Sequence, residues 1–187
     1  MTVPSAALRA GAVALLVKGD SILLKLRDDA PLWCLPGGFA DEGETPLQNL
    51  LRELHEELNV QFAPESFTRL ARYRFFQPYN SLTVSGTLFH KPFAGEPVSL
   101  GNEGVKLAFF PLEQLPLNMF CNQRTIVQMA WQALPHPLPE ELELGRDDTL
   151  DLASKYKPSD IVGYEDWNAH PRVLEKRAKG QLRFDVQ

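Results

Sequence analysis

The sequence predicts a layered α/β domain. Three observations carry that expectation. Apolar runs of strand length lie on both sides of one strongly amphipathic helix, a second helical pattern comes late, and turn residues mark the junctions. The chain has 187 residues, enough for one domain with a sizeable core and an appendage. It is 44% hydrophobic and 23% charged, which excludes a disordered, collagen-like or disulfide-scaffold protein.

The elements follow in order. Residues 10–18 and 21–27 are apolar runs joined by Lys18-Gly19-Asp20 and read as a hairpin. Asp28-Asp29-Ala30-Pro31 is a turn, and 33–35 is a short strand stopped by Pro36-Gly37-Gly38. A loop over 39–44 leads into a helix over 45–59. Residues 70–76 and 82–90 read as strands, a Pro/Gly-rich turn follows, and 105–110 is another strand. Residues 122–134 carry helical spacing, with Ile126, Met129, Ala130 and Ala133 on one side. At Pro135-His136-Pro137-Leu138-Pro139 the chain changes character. We therefore divide it into a domain over 1–139 and an extension over 140–187. The extension, with short helices expected at 149–156 and 171–179, either wraps the domain or meets a partner.

The longest early apolar run, 10–17, is too short to span a bilayer, where about 20 residues are needed. Cys34 and Cys121 form neither a disulfide framework nor a ligand pair. Reduced thiols and a cytoplasmic location are expected.

The helix over 45–59 is the most strongly specified element. Thr45 is a good N-cap, Pro46 suits the first helical position, and Gln48 completes a capping box. Leu47, Leu50, Leu51, Leu54 and Leu58 form one apolar face, and Asn59 suits a left-handed cap. Glu53, Glu56 and Glu57 stand at i, i+3 and i+4 and project from one side. Their mutual repulsion predicts that Glu57→Gln keeps the fold, or stabilises it without metal.

The net charge of −5 has an address. Residues 38–60 hold six acids against the single base Arg52, while the rest of the chain holds 18 acids and 18 bases. Three convergent carboxylates suit a hard divalent cation, and the acidic balance argues against a general nucleic-acid binder. Gly37-Gly38 lets backbone approach a metal or phosphate closely.

The run Gly38-x5-Glu44-x7-Arg52-Glu53-Leu54-x-Glu56-Glu57-x-Asn59-Val60 resembles the Nudix box of the Nudix hydrolases. It departs from the pattern only at Asn59, where the family has Gly. The resemblance covers roughly residues 8–134, including Trp33-x-Leu35-Pro36-Gly37-Gly38, and does not reach 140–187. It implies an α/β/α sandwich with a mixed sheet. It also implies Mg²⁺- or Mn²⁺-dependent water attack on a pyrophosphate bridge.

By that resemblance Glu56 and Glu57 are the principal metal ligands. Glu53 is a further ligand or the base, and the Gly37 or Gly38 carbonyl is an extra ligand. Glu44 supports the cluster and Arg52 orients the glutamates. Glu103, in Gly101-Asn102-Glu103-Gly104, matches the placement of a downstream acid, with Glu96 as its competitor. Substrate contacts are expected from Arg27, Arg72, Arg74, Tyr79 and Asn122.

The expected substrate is a nucleoside diphosphate linked to another moiety, such as ADP-ribose, a nucleotide sugar or a dinucleotide. A MutT-type hydrolase of nucleoside triphosphates and a non-catalytic nucleotide sensor stay open beside it. The expected partner is a small-molecule nucleotide, not a membrane and not a nucleic acid. The basic residues Lys176, Arg177 and Lys179 of the extension are the sole support for an RNA end as substrate. A homodimer is left open.

Overall fold

The computed structural model describes residues 7–133 and 137–186. Residue 134 and the first two residues of the proline-rich turn lie outside them. Eight strands form one mixed sheet: β1 (Ala7–Lys18), β2 (Ser21–Leu26), β3 (Trp33–Cys34), β4 (Gly37–Phe39), β5 (Thr68–Gln77), β6 (Leu82–Pro92), β7 (Lys106–Pro111) and β8 (Glu141–Arg146). The main order is β3-β2-β1-β6-β5-β8, with β4 on β1 and β7 on β2. The helices are α1 (Pro46–Leu58), α2 (Cys121–Ala133), α3 (Thr149–Ala153), α4 (Tyr164–Ala169) and α5 (Pro171–Ala178).

β1 organises the molecule. It pairs in parallel with β6 along 11 residues from Ala7 to Val17. On its other edge the partner changes: Gly11–Val13 pair with β4, and Val17–Lys18 pair with β2. Both faces of β1 are covered, which explains its unbroken apolar run. Ala12, Ala14 and Leu16 pack with Leu50, Leu54 and Leu58 of α1. Val13 and Leu15 belong to the opposite core, with Ile126, Val127 and Ala130 of α2. The expected α/β/α layering is therefore the observed one.

The capped helix forms as its sequence dictates. Thr45 Oγ1 accepts from the Gln48 amide while Gln48 Oε1 accepts from the Thr45 amide. Asn59 ends α1 in the left-handed conformation at φ 52°. Beyond it, the amides of Ser99, Gly101 and Asn102 donate to the carbonyls of Leu58, Glu57 and Glu56. A side chain at Gly101 would strike the Glu56 carbonyl. That glycine lets the loop dock on the helix end and brings Glu103 to the glutamate face.

Gly37 and Gly38 lie within β4 on β1, where a simple strand stop was expected. Gly37 sits at φ +131°, and a Cβ there would strike the Ala12 carbonyl.

Residues 140–186 pack against the rest of the chain. β8, unforeseen in the sequence, adds a parallel strand to β5. Trp167 of α4 and Val173 of α5 are fully buried in the α2-side core. Arg172 donates to the carbonyls of Gly104 (2.9 Å) and Gly101 (2.7 Å), so α5 clamps the loop that carries Glu103. α4 was also not foreseen. Both cysteines are free thiols. Among the described residues, no helix is long and apolar enough to cross a membrane.

Candidate active site

The leucine face of α1 is buried on β1, so the glutamate face turns toward the strand ends and β4. Arg52 is the hub there. Its Nε and Nη2 donate to the two carboxylate oxygens of Glu44 at 2.8 and 3.0 Å. Its Nη1 reaches Glu53 at 3.0 Å and Glu56 at 3.4 Å, and Nη2 also donates to the Phe39 carbonyl at 3.0 Å. One planar guanidinium thus ties loop, strand and two site glutamates together. The Arg52 hydrogen bond holds the Glu44 carboxyl below its ordinary range.

Glu57 is different. It is buried, and one carboxylate oxygen is ion-paired with Lys25 of β2, whose side chain is 3% exposed. The other accepts from the Gly37 amide at 2.8 Å. Burial works against the charged Lys25 ammonium, but the charge and hydrogen bond of Glu57 outweigh it, and its pKa is raised. Glu103 Oε2 stands 3.6 Å from the same ammonium, on a side chain that is 64% exposed. Burial, and then the charge of Glu57, pushes the Glu53 carboxyl up to about 7. Its carboxylate packs on Gly38, where a Cβ would collide with it.

A cavity of about 440 Å³ opens beside this cluster. Glu53, Glu56, Glu57, Arg52, Gly37, Gly38 and Glu103 line it, as do Arg27 and Asn122. Arg27 makes a two-pronged pair with Asp29 at 2.6 and 2.7 Å. Asn122 lies in the first turn of α2 and is buried. Glu44 supports the cluster from behind, through Arg52. Glu96 pairs with Lys91 and is not among the lining residues.

Three expected substrate residues lie elsewhere. Along β5 the buried positions are Ala71, Tyr73, Phe75 and Gln77, and the last three line the cavity. Arg72 and Arg74 point from the other face, where Arg72 pairs with Glu141 of β8. The phase follows from packing: Tyr73 faces Gly86 across the pair, and any side chain at Gly86 would overlap its ring. Tyr79 does not line the cavity either. Its ring lies under Arg183, with the guanidinium 5.5 Å from the ring centre.

Sequence reasoning missed Lys25, Arg9, Gln77, Asp147 and Arg183, of which all but Lys25 line the cavity. Lys25 did leave a signal, a lone charge inside the apolar run Ile22-Leu23-Leu24-Lys25-Leu26, which requires a buried counter-charge. Asp147 and Arg183 arrive only through the folding of the extension.

The NUDIX domain family model matches residues 7–130. The chain belongs to the Nudix hydrolase family. As a Nudix hydrolase it is an enzyme acting on pyrophosphate bonds. It is 31% identical over 112 residues to a protein named "Putative 8-oxo-dGTP diphosphatase" from Bacillus subtilis (strain 168), a match covering 60% of this chain and 72% of that one. It is 33% identical over 86 residues to a nucleoside triphosphate pyrophosphatase/Nudix hydrolase fusion protein of Bifidobacterium longum (strain NCC 2705). That match covers 45% of this chain, but the chain spans only 17% of the fusion protein's length. The crystal structure of a MutT Nudix hydrolase from Burkholderia pseudomallei superposes with a TM-score of 0.58 at 27% identity, covering 65% of this chain and 96% of that one.

Nudix hydrolases generally use divalent metals. Among the described residues, no three His, Cys, Asp or Glu side chains converge as they stand on one ion position. The cause is visible: Glu57 is turned to Lys25 and Gly37, and Glu53 and Glu56 are turned to Arg52. The donor set still fits a hard cation in kind and charge, because only oxygen ligands gather here and the basic partners are outnumbered.

Proposed function

We propose that this Nudix hydrolase cleaves the pyrophosphate bond of a nucleoside diphosphate linked to another moiety. One observation carries the proposal: the box glutamates line one cavity together with Phe75, Phe120 and the amide side chains of Gln77 and Asn122. Carboxylates for the phosphate end and rings with amides for a base occupy a single space of nucleotide dimensions.

Glu56 and Glu57 are the residues that would hold Mg²⁺ or Mn²⁺, joined by Glu53, Glu103 or a Gly37 or Gly38 carbonyl. When bound, the metal supplies neutralisation of the bridging phosphates and a more acidic water. The chain's own residues do the rest. Arg52 holds Glu53 and Glu56 in register, and Glu53 is the candidate to receive the attacking water's proton. Arg27 and Arg9 line the cavity and are the groups that would meet phosphate oxygens. Lys25 holds Glu57 by its charge when no metal does.

A second candidate, a MutT-type hydrolase releasing pyrophosphate from a nucleoside triphosphate, is favoured by the 27% identical MutT structure. Product analysis separates the two. Incubation with Mg²⁺ or Mn²⁺ and a panel of nucleoside triphosphates, nucleotide sugars, ADP-ribose and dinucleotides should yield a nucleoside monophosphate. The co-product is pyrophosphate for the second candidate and a phosphorylated partner moiety for the first. Absence of metal-dependent cleavage across the panel overturns both.

A further inference from the structure

The extension brings two groups to the cavity that the chemistry above does not use, Asp147 and Arg183, and Asp147 is the buried one. Asp147 follows β8, and its amide donates to the Phe76 carbonyl at 2.8 Å, which fixes it beside the end of β5. It is 1% exposed and lines the cavity. Its Oδ1 is saturated: the Thr149 hydroxyl donates at 2.5 Å, the Thr149 amide at 3.1 Å and the Cys121 thiol at 3.5 Å. Its Oδ2 is buried and has no donor among the described residues. A buried carboxylate oxygen without a donor is costly, and such groups are rare in folded proteins. The carboxylate is also locked in rotation, because the same Thr149 hydroxyl accepts from the Cys121 amide at 2.9 Å, at the start of α2.

The neighbouring residue on α2 complements it. Asn122 Oδ1 accepts from the Gln123 amide at 2.8 Å, which leaves its amide NH₂ as the donating end. Phe75, Phe120 and Gln77 line the same cavity. An acceptor from Asp147, a donor from Asn122 and flanking rings match a flat heterocycle that offers an amino group next to a ring acceptor.

We propose that Asp147 is a specificity-determining residue that accepts a hydrogen bond from the exocyclic amino group of the substrate's base. The inference rests on the nucleotide pyrophosphohydrolase function above and deepens it, because it places base selection on a residue of the extension, outside the 7–130 family match. Adenine, guanine and cytosine carry such a group; hypoxanthine and uracil do not. A site built around a buried acceptor rejects a ligand lacking the donor, because the acceptor then stays unpaired.

The test uses the full chain and pairs of nucleotides that differ at the amino group: adenosine against inosine, guanosine against inosine, cytidine against uridine. Two readouts are taken: Mg²⁺-dependent kcat/KM for the diphosphate derivatives, and calorimetric affinity for the monophosphates in chelator. At least one amino-bearing nucleotide should exceed its counterpart lacking that amino group by about tenfold or more in both. Asp147→Asn turns an acceptor into a donor and should bring that ratio to near one, with folding checked by thermal unfolding. Retained discrimination in folded Asp147→Asn overturns the assignment. If the variant does not fold, the wild-type ratios decide alone. Hydrolysis that ignores the amino group in every pair overturns the inference and leaves the pyrophosphohydrolase proposal standing. Failure to hydrolyse any nucleotide overturns both.

Discussion

Lys25 and Glu57 form a buried ion pair under the site, joining β2 to the glutamate face of α1. It changes what the acidic helix means. Glu57 is not one of three repelling surface charges but half of a desolvated pair whose second oxygen is bound by the Gly37 amide. Removing one member of such a pair leaves an uncompensated buried charge. Lys25→Met is therefore expected to destabilise the metal-free protein by about 3–5 kcal/mol. Mn²⁺ should recover more of that loss than it adds to the wild type. Denaturant unfolding with chelator and with Mn²⁺ measures both; an unchanged midpoint would show that the pair is not formed in solution.

Glu57→Gln reverses one expectation drawn from the sequence. Relief of repulsion implied a fold kept or strengthened. With Lys25 buried against it, the neutral amide strands an ammonium instead, so the variant should lose stability, by about 2–4 kcal/mol. Turnover should fall by two or more orders of magnitude as well. Thermal unfolding and steady-state kinetics on the same preparation test the two parts separately.

The elevated Glu53 carboxyl predicts a pH dependence of stability without metal. Its folded value, about 7, lies above the ordinary 4.5 of an unfolded chain. The folded state therefore binds the proton more tightly. That contribution is complete below about pH 4.5 and is lost as pH rises through about 7. In chelator, the wild-type melting temperature should fall between about pH 5.5 and 8 by more than that of Glu53→Gln. Parallel curves for the two proteins would refute the assignment to Glu53.

Arg72 and Arg74 face away from the cavity, toward Glu141 and Glu143. Replacing either with Ala should leave kcat/KM within about twofold, and stability within about 1 kcal/mol, because both side chains are exposed and the pairing of Arg72 with Glu141 is a surface one. A tenfold loss of kcat/KM in either variant would return them to the substrate path.

Arg172 clamps the carbonyls of Gly101 and Gly104 on either side of Glu103. Arg172→Ala should lower turnover about three- to tenfold by loosening that loop, with a stability loss of about 1–3 kcal/mol. In the Arg172→Ala, Glu103→Gln double variant the two kinetic losses should be less than additive, because they act through one loop. Full additivity would separate Arg172 from Glu103.

Much of the site was legible because its signals are local. The Thr45–Gln48 capping box, the leucine spacing, the left-handed Asn59 and the glutamates at i, i+3 and i+4 all act within a few residues, and each appears in α1 as expected. Arg52 reaches Glu44 just ahead of the N-cap, across the opening turns of α1, again a short-range match. Strand existence was legible for the same reason, since β1, β2, β5 and β6 carry long apolar or alternating runs. Strand phase was less so: the alternation along β5 shows two faces, and the close approach of Tyr73 to Gly86 on another strand selects which one is buried.

The sequence by itself determined the layered α/β class, the charged helix, its caps and the identity of its carboxylates. These depend on backbone periodicity and on contacts between near neighbours. Only the tertiary structure decided the partners of those carboxylates. Lys25 is 32 residues from Glu57, and Asp147 reaches the cavity through a parallel strand whose pairing register no local pattern encodes. Burial is a property of the assembled layers. A lysine or an aspartate becomes costly to leave unpaired only once the whole chain has removed water from around it.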